Sequence, residues 1–287
     1  MNNQTFAEPS IALNPEIAQS VLNRFGIDPQ IECNEEGLTL LYKAWCRNIP
    51  FDNFWKRLAI SQNTFSDHDQ MQADSFFKIW LEYGVGGTCW TTTNAMFQLL
   101  KYMGFDVYVV GGSMGDMGVV NHGSLIVSVD EGKEFVVDTS ILNEKPIDIS
   151  GAELEHPIHT IQLSEESDTV KVLFEHVSKK DFMPCAIMKN GIGLDQLKEH
   201  YDISIENSLF NDCVYIRKND ENGVSAIIGN TFFVKTAISI EKRELNETEL
   251  SEVLINVMGF SKEIVSHITN TNLFHTPQEC ILLTLTK

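Results

Sequence analysis

Nowhere in these 287 residues does an apolar run approach the roughly 18 that a membrane-spanning helix needs, which argues against an integral helical membrane protein. Basic residues are scarce: 21 Lys and Arg stand against 40 Asp and Glu, a formal charge of −19. That balance excludes a nucleic-acid partner, because phosphate neutralisation needs cations in excess. It also disfavours an anionic membrane surface. Met1 to Ser10 lacks the basic segment and apolar core of a secretory signal, so a cytoplasmic location is expected. The six cysteines (Cys33, Cys46, Cys89, Cys185, Cys213, Cys280) include no CxxC pair for zinc or redox work and are read as reduced thiols. Internal repeats and low-complexity segments are missing too.

What is present is an ordinary apolar share, 43%, in a chain long enough for two or three lobes. Its first hundred residues carry helical spacing. Pro15 to Phe25 has proline at its start and Gly26 at its end. Glu36 to Arg47 must stop before Pro50. Ser75 to Tyr83 places Phe76, Phe77, Trp80 and Leu81 on one face, and a fourth helix runs from Cys89 to Gly104. Beyond Gly104 the period falls to two. Strands are expected at Val107 to Val110, Ser124 to Val129, Glu134 to Val137, Val170 to Phe174, Cys213 to Ile216 and Phe232 to Ala237. Glu247 to Met258 returns to helix, and Ile281 to Leu285 reads as a closing strand. The expected class is α+β: a helical bundle over 1–104, an antiparallel β-barrel over 105–206 and an α/β lid over 207–287.

The chemistry concentrates in Gly86-Gly87-Thr88-Cys89-Trp90, Asn121-His122-Gly123-Ser124 and Val136-Val137-Asp138. A thiol at a helix N-terminus, with free N–H groups and the positive dipole end, favours its thiolate. A histidine can then move the proton, and an aspartate can hold the imidazole tautomer. Register makes the pair testable. Asp130-Glu131-Gly132 fits a three-residue hairpin loop, pairing Val129 with Lys133, Val127 with Phe135, Leu125 with Val137, and Ser124 with Asp138. His122, Ser124, Ser128, Glu134 and Asp138 then share one face, with His122 diagonal to Asp138.

Other polar clusters carry less. The stretch 111–118 is glycine-rich without a phosphate-loop Lys-Ser/Thr, and reads as a mobile loop walling a pocket beside His122. His156 and His159 flank a proline with no third ligand near, so no metal is expected. Lys235, Lys242 and Arg243 are candidates for an anion patch, with plain surface charge as the simpler reading.

At these residues the chain resembles the arylamine N-acetyltransferases. Ile49-Pro50-Phe51-Asp52-Asn53 is similar to that family's Ile-Pro-Phe-Glu-Asn, and Cys89, His122 and Asp138 fall in the order of its triad. Asn207-Ser208-Leu209-Phe210, Ile227-Ile228-Gly229-Asn230 and Glu241-Lys242-Arg243-Glu244-Leu245 are similar to its third-domain pattern. The resemblance implies the bundle, barrel and lid architecture. It implies transfer of an acyl group from acetyl-CoA, or another acyl thioester, through Cys89 to a small-molecule amine. Departures are Val85 where the family has arginine, Thr91 and Thr92 where it has an acidic residue shortly after the aromatic, and Thr139-Ser140-Ile141-Leu142 for its Val-Gly-Phe-Gly. Alternatives are an amide synthase fed by an acyl carrier protein, a transglutaminase-like cysteine hydrolase, and a binding module without catalysis. No residue contacting CoA is assigned.

Overall fold

The computed structural model describes residues 12–62, 70–151, 153, 154, 156, 158, 160–178, 181–211 and 213–269. Helices α1 (Pro15–Phe25), α2 (Glu35–Asn48), α3 (Phe54–Gln62), α4 (Ala73–Tyr83) and α5 (Cys89–Met103) come first, with a two-residue strand β1 (Phe51–Asp52) between α2 and α3. The side chain of Asn14 accepts from the Glu16 N–H at the head of α1, and Gly26 closes that helix in the left-handed region, φ 71°. Inward faces of α1, α2 and α4 meet around Trp45, which stacks on Phe76 at 6.2 Å and meets Phe77 edge-on. Each of these rings is fully buried and contributes about 1.5–3 kcal/mol of transfer free energy.

Two antiparallel sheets follow. Strands β2 (Asp106–Met114), β3 (His122–Val129), β4 (Lys133–Val137), β5 (Ile147–Asp148), β6 (Glu153–Leu154), β7 (Ile161–Glu165), β8 (Thr169–Glu175) and β9 (Phe182–Gly191) form a nearly closed barrel in the order β5-β4-β3-β2-β9-β8-β7-β6. Helix α6 (Leu194–Glu206) then packs back on α5. The second sheet holds β10 (Tyr215–Asn219), β11 (Val224–Ile228), β12 (Thr231–Lys235) and β13 (Ile240–Glu244), with β1 from the helical lobe on its edge. Helix α7 (Glu247–Val253) continues as a π turn through Met258, and α8 (Lys262–Thr269) ends the described chain. The class is therefore α+β. No helix among the described residues is long and apolar enough to cross a membrane.

Hairpin β3–β4 has the expected register, with Val129 opposite Lys133, Val127 opposite Phe135 and Leu125 opposite Val137. Its three-residue connection places Gly132 at φ 92°. One face, Leu125, Val127, Phe135 and Val137, joins the helical core, while Ile126 and Val136 on the other enter the barrel interior. Both faces are therefore dry, and the face carrying His122 and Asp138 is not solvated.

Several expectations need correction. Gly111 to Met114 is not loop but the end of β2, where Gly112 pairs with His122 and Gly111 with Gly123. Sheet pairing on both sides, to β3 and β9, outweighs the local cost of two glycines. Lys235 is a buried ion pair with Glu175 at 2.6 Å, and Arg243 pairs with Glu249, so neither is offered to an anion. Cys33, Cys46, Cys89 and Cys185 are free thiols, but Cys213 is disulfide-bonded, against the reading of six reduced thiols. The strand expected at 281–285 and His159 lie outside the described residues.

Candidate active site

Cys89 is the first residue of α5, and what places it is the loop before it. The Asp52 carboxylate accepts the Gly86 N–H at 2.6 Å and the Phe54 N–H at 2.9 Å, and the Asp52 N–H donates to the Gly87 carbonyl at 3.1 Å. One aspartate thus holds the nucleophile loop and caps α3. A Cβ at Gly86 would lie 1.8 Å from the Pro50 carbonyl oxygen, so only glycine lets the two segments come this close. Asn53 fastens the same segment to the C-terminal lobe, donating to the Cys213 carbonyl at 2.7 Å and accepting from the Tyr215 N–H at 2.8 Å. Asp52 is fully buried. Burial pushes its carboxyl up to about 7, only partly opposed by the Gly86 and Phe54 N–H groups.

His122 opens β3 and Asp138 follows β4, so the hairpin register carries one toward the other. His122 Nε2 lies 2.7 Å from Asp138 Oδ2, and both residues are buried. The other Asp138 oxygen accepts the Ser140 and Ile141 N–H groups at 2.9 Å each. Burial alone would push the imidazole down, but the Asp138 carboxylate, with the Cys185 and Cys89 sulfurs, holds it well above the usual histidine range. Burial would likewise raise the Asp138 carboxyl, and His122 with the two backbone N–H groups holds it below its usual value. Both shifts favour the charged forms, as a short, charge-assisted hydrogen bond between imidazole and carboxylate requires.

The Cys89 thiol is among the groups that hold the His122 value up, and α5, which it opens, packs against β3. With Nε2 committed to Asp138, Nδ1 is the nitrogen open to the thiol. A thiol, an imidazole and a buried carboxylate so placed can form a nucleophile and move its proton. Of the three residues singled out in the sequence, His122 and Asp138 meet directly, and Cys89 heads α5, which packs against β3. The Tyr42 hydroxyl, 2.6 Å from the Asp138 carbonyl and 2.7 Å from Asn143 Oδ1, pins the stretch after β4 from the helical side.

Sequence inspection gave no role to Cys185, His200 or Lys56. Cys185 on β9 lies behind His122, and both its sulfur and the His122 ring border the space a Cβ at Gly112 would occupy. His200 on α6 stacks on Trp90 with centroids 5.0 Å apart. Lys56 on α3 is 2% exposed, and Thr92 meets Thr139. The spacing of Leu194, Leu197 and Tyr201 behind Gly193 was a usable signal for α6 and hence for His200; for a buried lysine no local signal exists.

Comparisons with known proteins agree with this fold. The profile of a family described as N-acetyltransferase matches residues 36–265. An arylamine N-acetyltransferase from Mycobacterium marinum superposes with a TM-score of 0.77 at 14% identity, covering 90% of this chain and 97% of its own. Another structure of the Mycobacterium marinum enzyme, in complex with CoA, gives 0.69 at 14% identity, with coverages of 86% and 94%. An arylamine N-acetyltransferase from Bacillus cereus, described as having a Cys-His-Glu catalytic triad, gives 0.70 at 17%, with coverages of 85% and 98%. No curated protein matches the chain.

Proposed function

This chain belongs to the arylamine N-acetyltransferase family, and from that premise we propose that it transfers an acetyl group from acetyl-CoA to an amine through a Cys89 acyl-enzyme. The observation that carries the proposal is the buried His122–Asp138 pair at 2.7 Å, beside the strand against which α5, headed by Cys89, packs.

In this reading the Cys89 thiolate attacks the thioester carbonyl, and the carbon–sulfur bond to CoA breaks as the new one forms. The CoA thiolate leaves with the proton held by His122. Exchanging one thioester for another is nearly isoenergetic, so a cysteine suits this donor better than a hydroxyl would. The incoming amine then attacks the acyl-enzyme while His122 Nδ1 takes its proton. Collapse gives the amide and returns Cys89 as thiolate beside the imidazolium. Asp138 stays ionised throughout and holds the ring.

Simple flat arylamines are weak acceptors in this reading. Thr139, Ile141 and Leu142 are buried, the last two in the barrel and helical cores, so the stretch after Asp138 offers no aromatic platform. Acyl-CoA is favoured over a carrier-protein donor by the family match and by the structural likeness to an enzyme in complex with CoA.

Intact-mass spectrometry tests the proposal. After acetyl-CoA the wild-type chain should gain one acetyl group, lost again on adding an accepting amine, and Cys89→Ser should gain none. A chain that stays unlabelled by acetyl-CoA overturns it.

A further inference from the structure

Lys56 is a cation where the fold can least accommodate one. It sits on α3, one turn beyond the Asp52 cap, and is 2% exposed. Its ammonium donates to the Ser204 carbonyl at 2.7 Å and approaches Ser204 Oγ at 3.3 Å. Among the described residues no carboxylate pairs with it, so one of its three protons has no partner. A buried, unpaired ammonium costs several kcal/mol unless an anion compensates it.

Two elements connect Lys56 to the nucleophile. Asp52 ties the foot of α3 to Gly86, three residues before Cys89. On the far side, α6 is anchored twice: His200 stacks on Trp90, next to Cys89, and Ser204, one turn further along α6, holds Lys56. Cys89 and Lys56 are therefore bracketed by the same two elements. We propose that Lys56 is the second cation of the nucleophile, compensating the Cys89 thiolate alongside the His122 imidazolium. Thiolate and Asp138 carboxylate then balance imidazolium and ammonium, and the buried site is neutral before the acyl group arrives.

Burial pulls the Lys56 ammonium down to about 8, and the Cys89 sulfur is the group that opposes the fall. The titratable groups around Cys89 on the barrel side are His122, Asp138 and Cys185; Asp52, at the foot of α3, binds the Phe54 and Gly86 N–H groups, and His200 on α6 stacks on Trp90. The inference rests on Cys89 as the nucleophile but not on the identity of the acyl donor.

Iodoacetamide alkylation of Cys89, followed by intact mass from about pH 5 to about 9, tests it, with Cys89→Ser defining the signal of this thiol. Lys56→Met and Lys56→Gln should each lower the rate near pH 6 by about tenfold and move the low-pH limb upward, and Lys56→Arg should restore it. Glutamine keeps a donor for Ser204, so it separates charge from the tie to α6, and circular dichroism monitors folding. If Lys56→Gln follows the wild-type curve, Lys56 only caps α6 and the inference fails. A wild type that alkylates as expected but takes no acetyl from acetyl-CoA overturns the proposed function instead.

Discussion

Thr92 and Thr139 face each other through their hydroxyls at 2.8 Å, joining the first turn of α5 to the residue after Asp138. Both positions depart from the pattern of the resembling family, and in the fold they are one contact. Thr92 Oγ1 also lies 3.0 Å from the Thr88 carbonyl and 3.2 Å from that of Cys89. A pair of substitutions far apart in sequence is thus a single polar latch between the nucleophile and the carboxylate that orients its histidine.

The latch bears on specificity. Stacking on an aromatic ring is worth roughly 0.5–1.5 kcal/mol, up to about a tenfold factor, and the 139–142 stretch supplies none. Simple anilines and hydrazines should be poor acceptors, with a non-standard amine or a larger acyl donor preferred. Steady-state kinetics with acetyl-CoA decide the matter: a kcat/KM of about 10⁴ M⁻¹s⁻¹ or more on an aniline rejects the expectation.

Cys89→Ser should abolish acyl-enzyme formation and leave the fold intact, because a serine hydroxyl has no comparable ionised fraction near neutral pH. The loss should span several orders of magnitude. CoA release in a single turnover, with circular dichroism as the folding control, measures it. Turnover close to wild type would remove Cys89 from the mechanism.

Asp138→Asn should slow acylation by about 10³–10⁴, since an amide can donate to Nε2 and impose the wrong tautomer. His122→Gln should be at least as damaging. The iodoacetamide profile of Cys89 separates the roles. An unchanged low-pH limb in His122→Gln would show that no imidazolium supports the thiolate.

Asp52 should leave a signature in stability. Its folded value is raised from 3.8 to about 7, so between those values the unfolded chain releases a proton that the folded chain keeps. Stability from this group is complete below about 4, falls as pH rises through that window, and levels above about 7. Urea midpoints of wild type and Asp52→Asn should therefore converge as pH rises across the window, although asparagine can no longer accept from both Gly86 and Phe54. A pH-independent gap between the two curves would show that Asp52 is ionised throughout.

The helices were legible because their ends are local. Asn14, Pro15 and Gly26 mark α1, and a glycine follows both Tyr83 and Met103. The short loop after Val129 determined register by counting, which brought His122 toward Asp138 before any coordinate was known. Missed elements had weaker local signals. Helix α3 follows Asn53 directly with Trp55, Lys56 and Arg57, and α6 is largely polar on its outer face.

By itself the sequence determined the class and the hairpin register that carries His122 toward Asp138, both of which depend on period, caps and short loops. Only the tertiary structure decided the electrostatics of the site. Asp52 meets Gly86 across 34 positions and Lys56 meets Ser204 across 148, while β1 leaves the helical lobe to pair with β10. Whether a charged group is neutralised, raised or left uncompensated depends on what desolvates it and which charges come near. Those neighbours arrive through long-range packing that no local pattern encodes.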